Sequence, residues 1–262
     1  MTTVPIHDSS KTTQAALVTG SAIRLGKHIA LALAQYGFDI ALHYNSSETE
    51  AENTAAEIRQ HGVKCLLFQR DITQTNQIKP LMTQVLEVFP HLGVLVNSAA
   101  GYTQAHIATT TPDIFDFQFA LNLRAPFFLT QAYAELCGKG NVINVIDNKI
   151  AFNQYQFAAY LLSKKALAEF TKLAALEFSP NIRVNGVAPG LTLPILSRSE
   201  EYLEWRLQGT PLKIKGEPQK ITQAIISILE NNFMTGQILF IDGGESLTNV
   251  GLNAGDYDQT KV

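Results

Sequence analysis

The stretch Val18–Gly26, VTGSAIRLG, decides the fold. It ends the apolar run "QAALVTG" and opens directly into "GKHIALALAQYG", whose apolar residues recur at helical spacing and which stops at Gly37. A strand, a glycine turn and a helix, in that order, make the first unit of a parallel α/β architecture. Gly20 and Gly26 supply the tight turn and the close packing of helix on strand. The helix start offers unpaired N–H groups and a positive dipole end to a phosphate. One residue breaks the pattern: where a further glycine would let the backbone approach a pyrophosphate, the chain carries Arg24.

The same rhythm continues outward from this turn. "FDIALHY" reads as a second strand, 45–62 as a helix with Ser47 and Glu50 at capping-box spacing, and "VKCLLFQRD" as a third strand. A helix over 75–89, the strand "LGVLVNSAA", a long helix over 112–136, the strand "NVINVID" and a helix over 154–178 follow. "IRVNGVAPG" is the sixth strand, 199–208 and 217–231 read as helices, and "GQILFIDGG" closes the sheet. The alternation predicts an α/β chain forming a single doubly wound Rossmann-type domain over residues 1–262. Its mostly parallel seven-stranded sheet carries helices on both faces, with the ligand site beyond the carboxyl ends of the strands. Residues 191–217 interrupt the rhythm and are expected to form a lid over that site. Residues 1–12 are expected to be a flexible N-terminus.

At 262 residues, 46% of them hydrophobic and 16% charged, the chain is long and apolar enough to bury one large core. A net charge of −3 leaves no electrostatic footprint for nucleic acid or an anionic membrane surface. With no apolar leader core and no run of about eighteen apolar residues, the expectation is a cytoplasmic protein. Cys65 and Cys137 lie in apolar stretches and read as free thiols. No spacing of His, Cys, Asp or Glu resembles a metal site, and His28 and His43 read as packed residues.

Arg24 gains meaning from the second strand. In dinucleotide sites that take NAD, a carboxylate at that strand's tip holds the ribose hydroxyls. Here the strand ends "LHYNSS", with no acid. Arg24, with Asn45, Ser46 and Ser47 as donors, suits a 2′-phosphate instead, and a charge-assisted contact of about 1.5–3 kcal/mol would favour NADPH. Ser47 has helix capping as a second reading. Asp71, past the third strand, would receive the adenine amino group or close its own turn. In "AAYLLSK", Tyr160 and Lys164 are four apart and project from one helix face. A tyrosine hydroxyl is a weak acid at neutral pH, and a nearby ammonium favours its phenolate and lowers its pKa.

These residues, with Asn97 in "LVNSAAG", Asn122 in "LNLRAPFF" and "RVNGVAPG", resemble the short-chain dehydrogenase/reductase family over about residues 12 to 250. The resemblance implies Tyr160 as acid/base and Lys164 as ribose anchor and pKa modulator, with Asn122 holding a water in a proton relay from Lys164. It places the cofactor along Gly20, Arg24 and Leu25, then Tyr44 to Ser47. Beyond these come Asp71 and Ile72, then Asn97, Ser98 and Ala99, then Pro189, Gly190 and Leu191. It also implies a homotetramer built partly on the apolar face of the helix over 112–136. Two departures, Arg24 and an aspartate, Asp147, thirteen residues before the tyrosine where serine is usual, resemble the pteridine reductase branch. That branch implies a pterin or folate substrate against Arg24, Ala100, Tyr102, Asp147, Tyr160 and Leu193, with Tyr102 stacking on the ring.

Chemistry makes sense of Asp147. A serine hydroxyl can donate to the oxygen of a ketone as it gains negative charge, whereas a carboxylate would repel it. Reducing the C=N bond of a dihydropterin needs a proton on nitrogen, which a carboxylate orienting Tyr160 can help deliver. The branch is not matched everywhere: Ala100 stands where a pterin-contacting serine is usual, and Asn45 and Ser46 where a His-Arg pair meets the 2′-phosphate. A carbonyl reductase, acting on a 3-oxoacyl thioester or a sugar ketone, is the alternative, and a non-catalytic NADP-sensing module is the third reading. Trp205 and Tyr202 read equally as pocket wall or as core.

Overall fold

β1 (Ala15–Val18) is the axis of the molecule, because all four of its residues are buried and they alternate between two cores. The computed structural model describes residues 14–193, 199–248, 252 and 257. The N-terminal stretch 1–12 and residues 194–198 of the expected lid lie outside them. Around β1 run β2 (Asp39–Tyr44), β3 (Cys65–Gln69), β4 (Leu92–Asn97), β5 (Gly140–Val145), β6 (Ile182–Pro189) and β7 (Ile238–Ile241). All pairings are parallel, in the order β3-β2-β1-β4-β5-β6-β7. The order reverses beside β1, which opens a crevice beyond its carboxyl end.

Side chains on a strand alternate faces, so each half of β1 nucleates its own layer. Ala16 and Val18 pack with α1 (Arg24–Gln35), α2 (Glu48–Arg59) and α8 (Pro218–Glu230) through Ile29, Leu33, Ala55, Ile58, Ile221 and Ile225. Ala15 and Leu17 face α3 (Ile78–Val88), α5 (Ala125–Cys137) and α6 (Ala158–Phe178), through Leu81, Val85, Leu129, Tyr133 and Ala174. α4 (Pro112–Phe119) precedes α5, and α7 (Glu200–Gln208) lies in the expected lid. Among the described residues no helix is long and apolar enough to cross a membrane.

Three local expectations are corrected. The helix expected over 112–136 is broken into α4, a π turn over Ala120–Arg124, and α5. The cause is Pro126, which lacks the N–H that would reach the Asn122 carbonyl four residues back. The helix expected from 154 begins only at Ala158, because Phe157 forms a bridge with Ala105 and the Ala158 N–H donates to the Ala105 carbonyl. Ser47 does sit at the start of α2, but its hydroxyl makes no capping hydrogen bond.

Candidate active site

The carboxyl ends of the strands open into a cavity of about 920 Å³, near the upper end of the range of about 300–1,000 Å³ for ligand pockets. Its floor is the turn after β1. Gly20 has φ +62° there, and a Cβ on it would lie 2.8 Å from the Ala99 Cα. A Cβ on Gly26 would lie 2.2 Å from the Gly20 carbonyl oxygen. Only glycine fits at either place, so the backbone itself forms the cradle.

His43 locks this cradle to the sheet. The Gly20 N–H donates to its Nδ1 (3.2 Å), which leaves the proton on Nε2, 3.1 Å from the Arg70 carbonyl. Burial lowers the ring's pKa to about 4. Thr19 adds a second tie, its Oγ1 accepting from the N–H groups of Ser98 (3.0 Å) and Ala99 (3.1 Å) at the end of β4.

At the β2 tip, Tyr44, Asn45, Ser46 and Ser47 line the cavity, and no carboxylate stands among them. Asp71 and Ile72 line the same end, beyond β3. Asp71 closes its own turn, its Oδ1 accepting from the Thr73 N–H (3.0 Å) and Oγ1 (2.6 Å). Ser98, Ala99 and Ala100 after β4 and Pro189, Gly190 and Leu191 after β6 complete the wall, with Leu25 at the helix start. Asn97 does not reach the cavity: it is buried in the sheet, donating to Asn144 Oδ1 (2.8 Å).

Arg24 departs from expectation in its direction. Its backbone is left-handed, φ +53°, and its Nη2 donates to the Leu193 carbonyl at 2.6 Å. Leu193 follows β6, three strands from β1 on the side opposite β2. The guanidinium therefore turns toward the β6 side of the cavity and not toward the donors at the β2 tip.

At the cavity's centre, Asp147 and Tyr160 form one unit. Asp147 follows β5 and heads a short 3-10 turn, where its Oδ1 accepts from the Lys149 N–H (2.8 Å). Its Oδ2 accepts from the Tyr160 hydroxyl at 2.6 Å. Lys164, one turn further along α6, donates to the Val145 carbonyl (2.8 Å), with its Nζ 6.0 Å from the Tyr160 ring centroid. This overturns the expectation that the ammonium lowers the tyrosine pKa. Burial, then the Asp147 charge and hydrogen bond, hold the phenol well above its usual range. Burial also brings Lys164 down to about 8.

The Asn122 side chain is tied into the protein. It donates to Gly101, Gln118 and Ser163 and accepts from the Gly101 N–H (2.9 Å), so it frames the wall and has no side-chain donor left for a relay water. Tyr102 is half-exposed on the wall, its ring stacked on Phe157 (4.4 Å) and edge-on to Tyr160 (4.8 Å). Tyr202 lines the cavity, whereas Trp205 packs behind it against Tyr202 and Tyr257. Sequence reasoning missed Lys149 and Arg206, which line the cavity. The one available signal was the position of Lys149, two residues after Asp147. Among the described residues no group of His, Cys, Asp and Glu is placed to hold a metal ion.

The chain is similar to known oxidoreductases over most of its length. A family model described as enoyl-(acyl carrier protein) reductase matches residues 20–246. An uncharacterized oxidoreductase of Mycobacterium tuberculosis is 34% identical over 248 residues, 90% of this chain and 94% of that protein. The 3-oxoacyl-(acyl-carrier-protein) reductase FabG of Staphylococcus epidermidis is 30% identical over 240 residues, 88% of this chain and 98% of that one. The solved structure of FolM alternative dihydrofolate reductase 1 from Brucella suis, in complex with NADP, superposes with a TM-score of 0.85. It is 32% identical and covers 90% of this chain and 96% of that one.

Proposed function

The chain belongs to the short-chain dehydrogenase/reductase family, and within it we propose an NADPH-dependent reductase that converts a dihydropterin to its tetrahydro form. The dihydropterin would be dihydrobiopterin, dihydromonapterin or dihydrofolate. The observation that carries this reading is the 2.6 Å hydrogen bond from Tyr160 to Asp147. The likeness to FolM supports it.

The residues fit the cofactor. Gly20 packed on Ala99 and Gly26 packed on the Gly20 carbonyl hold the turn tight, so the start of α1 would receive a phosphate, and the acid-free β2 tip would offer Asn45, Ser46 and Ser47 to a 2′-phosphate. Asp71 and Ile72 would hold the adenine end, and Lys164 would anchor the nicotinamide ribose. Leu25, Tyr44, Ser98, Ala99, Pro189, Gly190 and Leu191 shape the groove between. When bound, NADPH supplies the hydride.

Asp147 and Tyr160 manage the proton. A phenolate beside a carboxylate in a buried site is strongly disfavoured, so Tyr160 gives up its proton only as Asp147 gains one from water. The pair thus delivers one proton to the substrate nitrogen per turnover and returns to its starting state. Tyr102, Ala100 and Leu193 bound the ring, Arg24 faces its edge, and the described residues 191–193 and 199–217 border the site as its lid. The working form is a cytoplasmic homotetramer.

The likeness to FabG favours a second reading, reduction of a 3-oxoacyl thioester. Asp147 opposes it, because its carboxylate would repel the oxygen of a ketone as it gains charge. The test is NADPH oxidation by the purified protein with dihydrobiopterin, dihydromonapterin, dihydrofolate and an acetoacetyl thioester side by side. Turnover is expected with the pterins alone, and Asp147→Ser should lower it by about a hundredfold or more, as loss of a general acid–base group does. Turnover of the thioester alone, or its gain in Asp147→Ser, would hand the assignment to the second reading.

A further inference from the structure

Asp147 keeps its place on little local structure. It heads a single 3-10 turn, Asn148–Ala151, beyond the end of β5. A turn so short, with the poorer hydrogen-bond geometry of its kind, fixes a side chain weakly. The support comes from the turn after β7. Glu245, fully buried there, accepts from three side chains: Asn148 Nδ2 on Oε2 (2.8 Å), and Lys149 Nζ and Arg206 Nη1 (2.8 Å) on Oε1. Two of the three are consecutive residues of the Asp147 turn. Lys149 is gripped at both ends, its Nζ by Glu245 and its N–H by Asp147 Oδ1 (2.8 Å). Because Asp147 Oδ2 takes the Tyr160 hydroxyl, an unbroken chain of contacts runs from Glu245 through Lys149 and Asp147 to Tyr160.

The charge on Glu245 makes this grip firm. Burial works against that charge, but the Arg206 hydrogen bond and the Lys149 and Arg206 charges hold its pKa below the usual carboxylate range. The neighbouring acid, Asp242, takes Asn148 at 3.2 Å and otherwise bonds the N–H groups of Gly244 and Ser246 in its own turn. Buried ion pairs add little net stability, and their best-attested use is to fix one arrangement among several. Arrangement matters at this site. Proton transfer needs donor and acceptor within about 2.6–3.2 Å, and a displacement of about 1 Å can cost about a hundredfold in rate. Glu245 is not among the described residues that line the cavity, so any part it has in the reaction runs through the turn.

We propose that Glu245 is a positioning residue for the proton-delivering pair. By clamping Asn148 and Lys149 it holds the Asp147 carboxylate against the Tyr160 hydroxyl. This rests on the reading of Asp147 and Tyr160 given above.

The experiment measures kcat and KM for dihydrobiopterin, and NADPH affinity by fluorescence titration, for Glu245→Gln in the wild-type and Asp147→Ser backgrounds. With Asp147 present, Glu245→Gln should lower kcat about ten- to a hundredfold, with KM and NADPH affinity unchanged. With Asp147→Ser already in place, the further loss should be less than about twofold, because residues acting as a unit are not additive. Lys149→Met should show the same dependence on background, with partial recovery in Lys149→Arg. It keeps Arg206 on Glu245 and decides the matter if Glu245→Gln does not fold. Equal losses in the two backgrounds would overturn the proposal, since Glu245 would then serve the fold alone. So would an unchanged kcat, or an NADPH affinity that falls in step with kcat. Undiminished turnover in Asp147→Ser, or no pterin turnover in the wild-type protein, would instead overturn the underlying reading, and this proposal with it.

Discussion

At the scale of single residues, Arg24 shows how a site departs from the most stable local choice. Its left-handed backbone, φ +53°, is a conformation that side chains with a Cβ adopt at a penalty of about 1–2 kcal/mol. Strain of this kind collects where geometry serves function. Here it directs a guanidinium across the cavity to the Leu193 carbonyl. Arg24→Gly should therefore be about 1 kcal/mol more stable than Arg24→Ala in urea unfolding, while both variants lose pterin turnover. Equal stability of the two would mean that the left-handed backbone stores no strain. The presence of Arg24 was legible as a break in a glycine pattern. Its direction was not, because Leu193 lies 169 residues away in sequence.

At the scale of elements, the ends of β1, β2 and β3 are joined through one neutral imidazole. His43 accepts from the Gly20 N–H and bonds the Arg70 carbonyl, which requires the uncharged ring. Burial depresses its pKa to about 4 from 6.5. Its contribution is complete above pH 6.5 and is lost as pH falls toward 4, about 3 kcal/mol in all. Between pH 7 and pH 5 the wild-type protein should lose about 2 kcal/mol more unfolding free energy than His43→Asn, which cannot titrate. Parallel losses in the two proteins would remove His43 as the acid-sensitive joint. The sequence showed His43 only as a packed residue in a strand. Likewise "NLRAP" read as continuous helix, although Pro126 already removed the donor that turned Ala120–Arg124 into a π turn.

At the scale of the whole molecule, the neighbouring helices α5 and α6 leave apolar side chains exposed. Phe127 on α5 is 43% exposed, and Leu173 and Leu176 on α6 are 64% and 80% exposed. Apolar surface of this kind is what the proposed tetramer would cover. The proposed tetramer should elute and scatter light at four times the 28.7 kDa chain mass. Leu173→Glu with Leu176→Glu should shift it to smaller species while the far-ultraviolet circular dichroism stays native. A wild-type monomer in solution would end the tetramer proposal.

The sequence by itself determined the sheet, most of its helices and many of the residues around the cavity. Strand and helix periodicity, glycine turns and a short tyrosine–lysine spacing are all local, and local patterns survive in one dimension. It also held the departures, Arg24 and Asp147, which set the chemistry apart. Only the tertiary structure decided which groups act on one another. Tyr160 answers to Asp147 and to burial more than to Lys164. Arg24 turns to the Leu193 carbonyl, and Arg206 crowds Lys149 on the buried Glu245. Charges couple through distance and desolvation, and chain folding sets both.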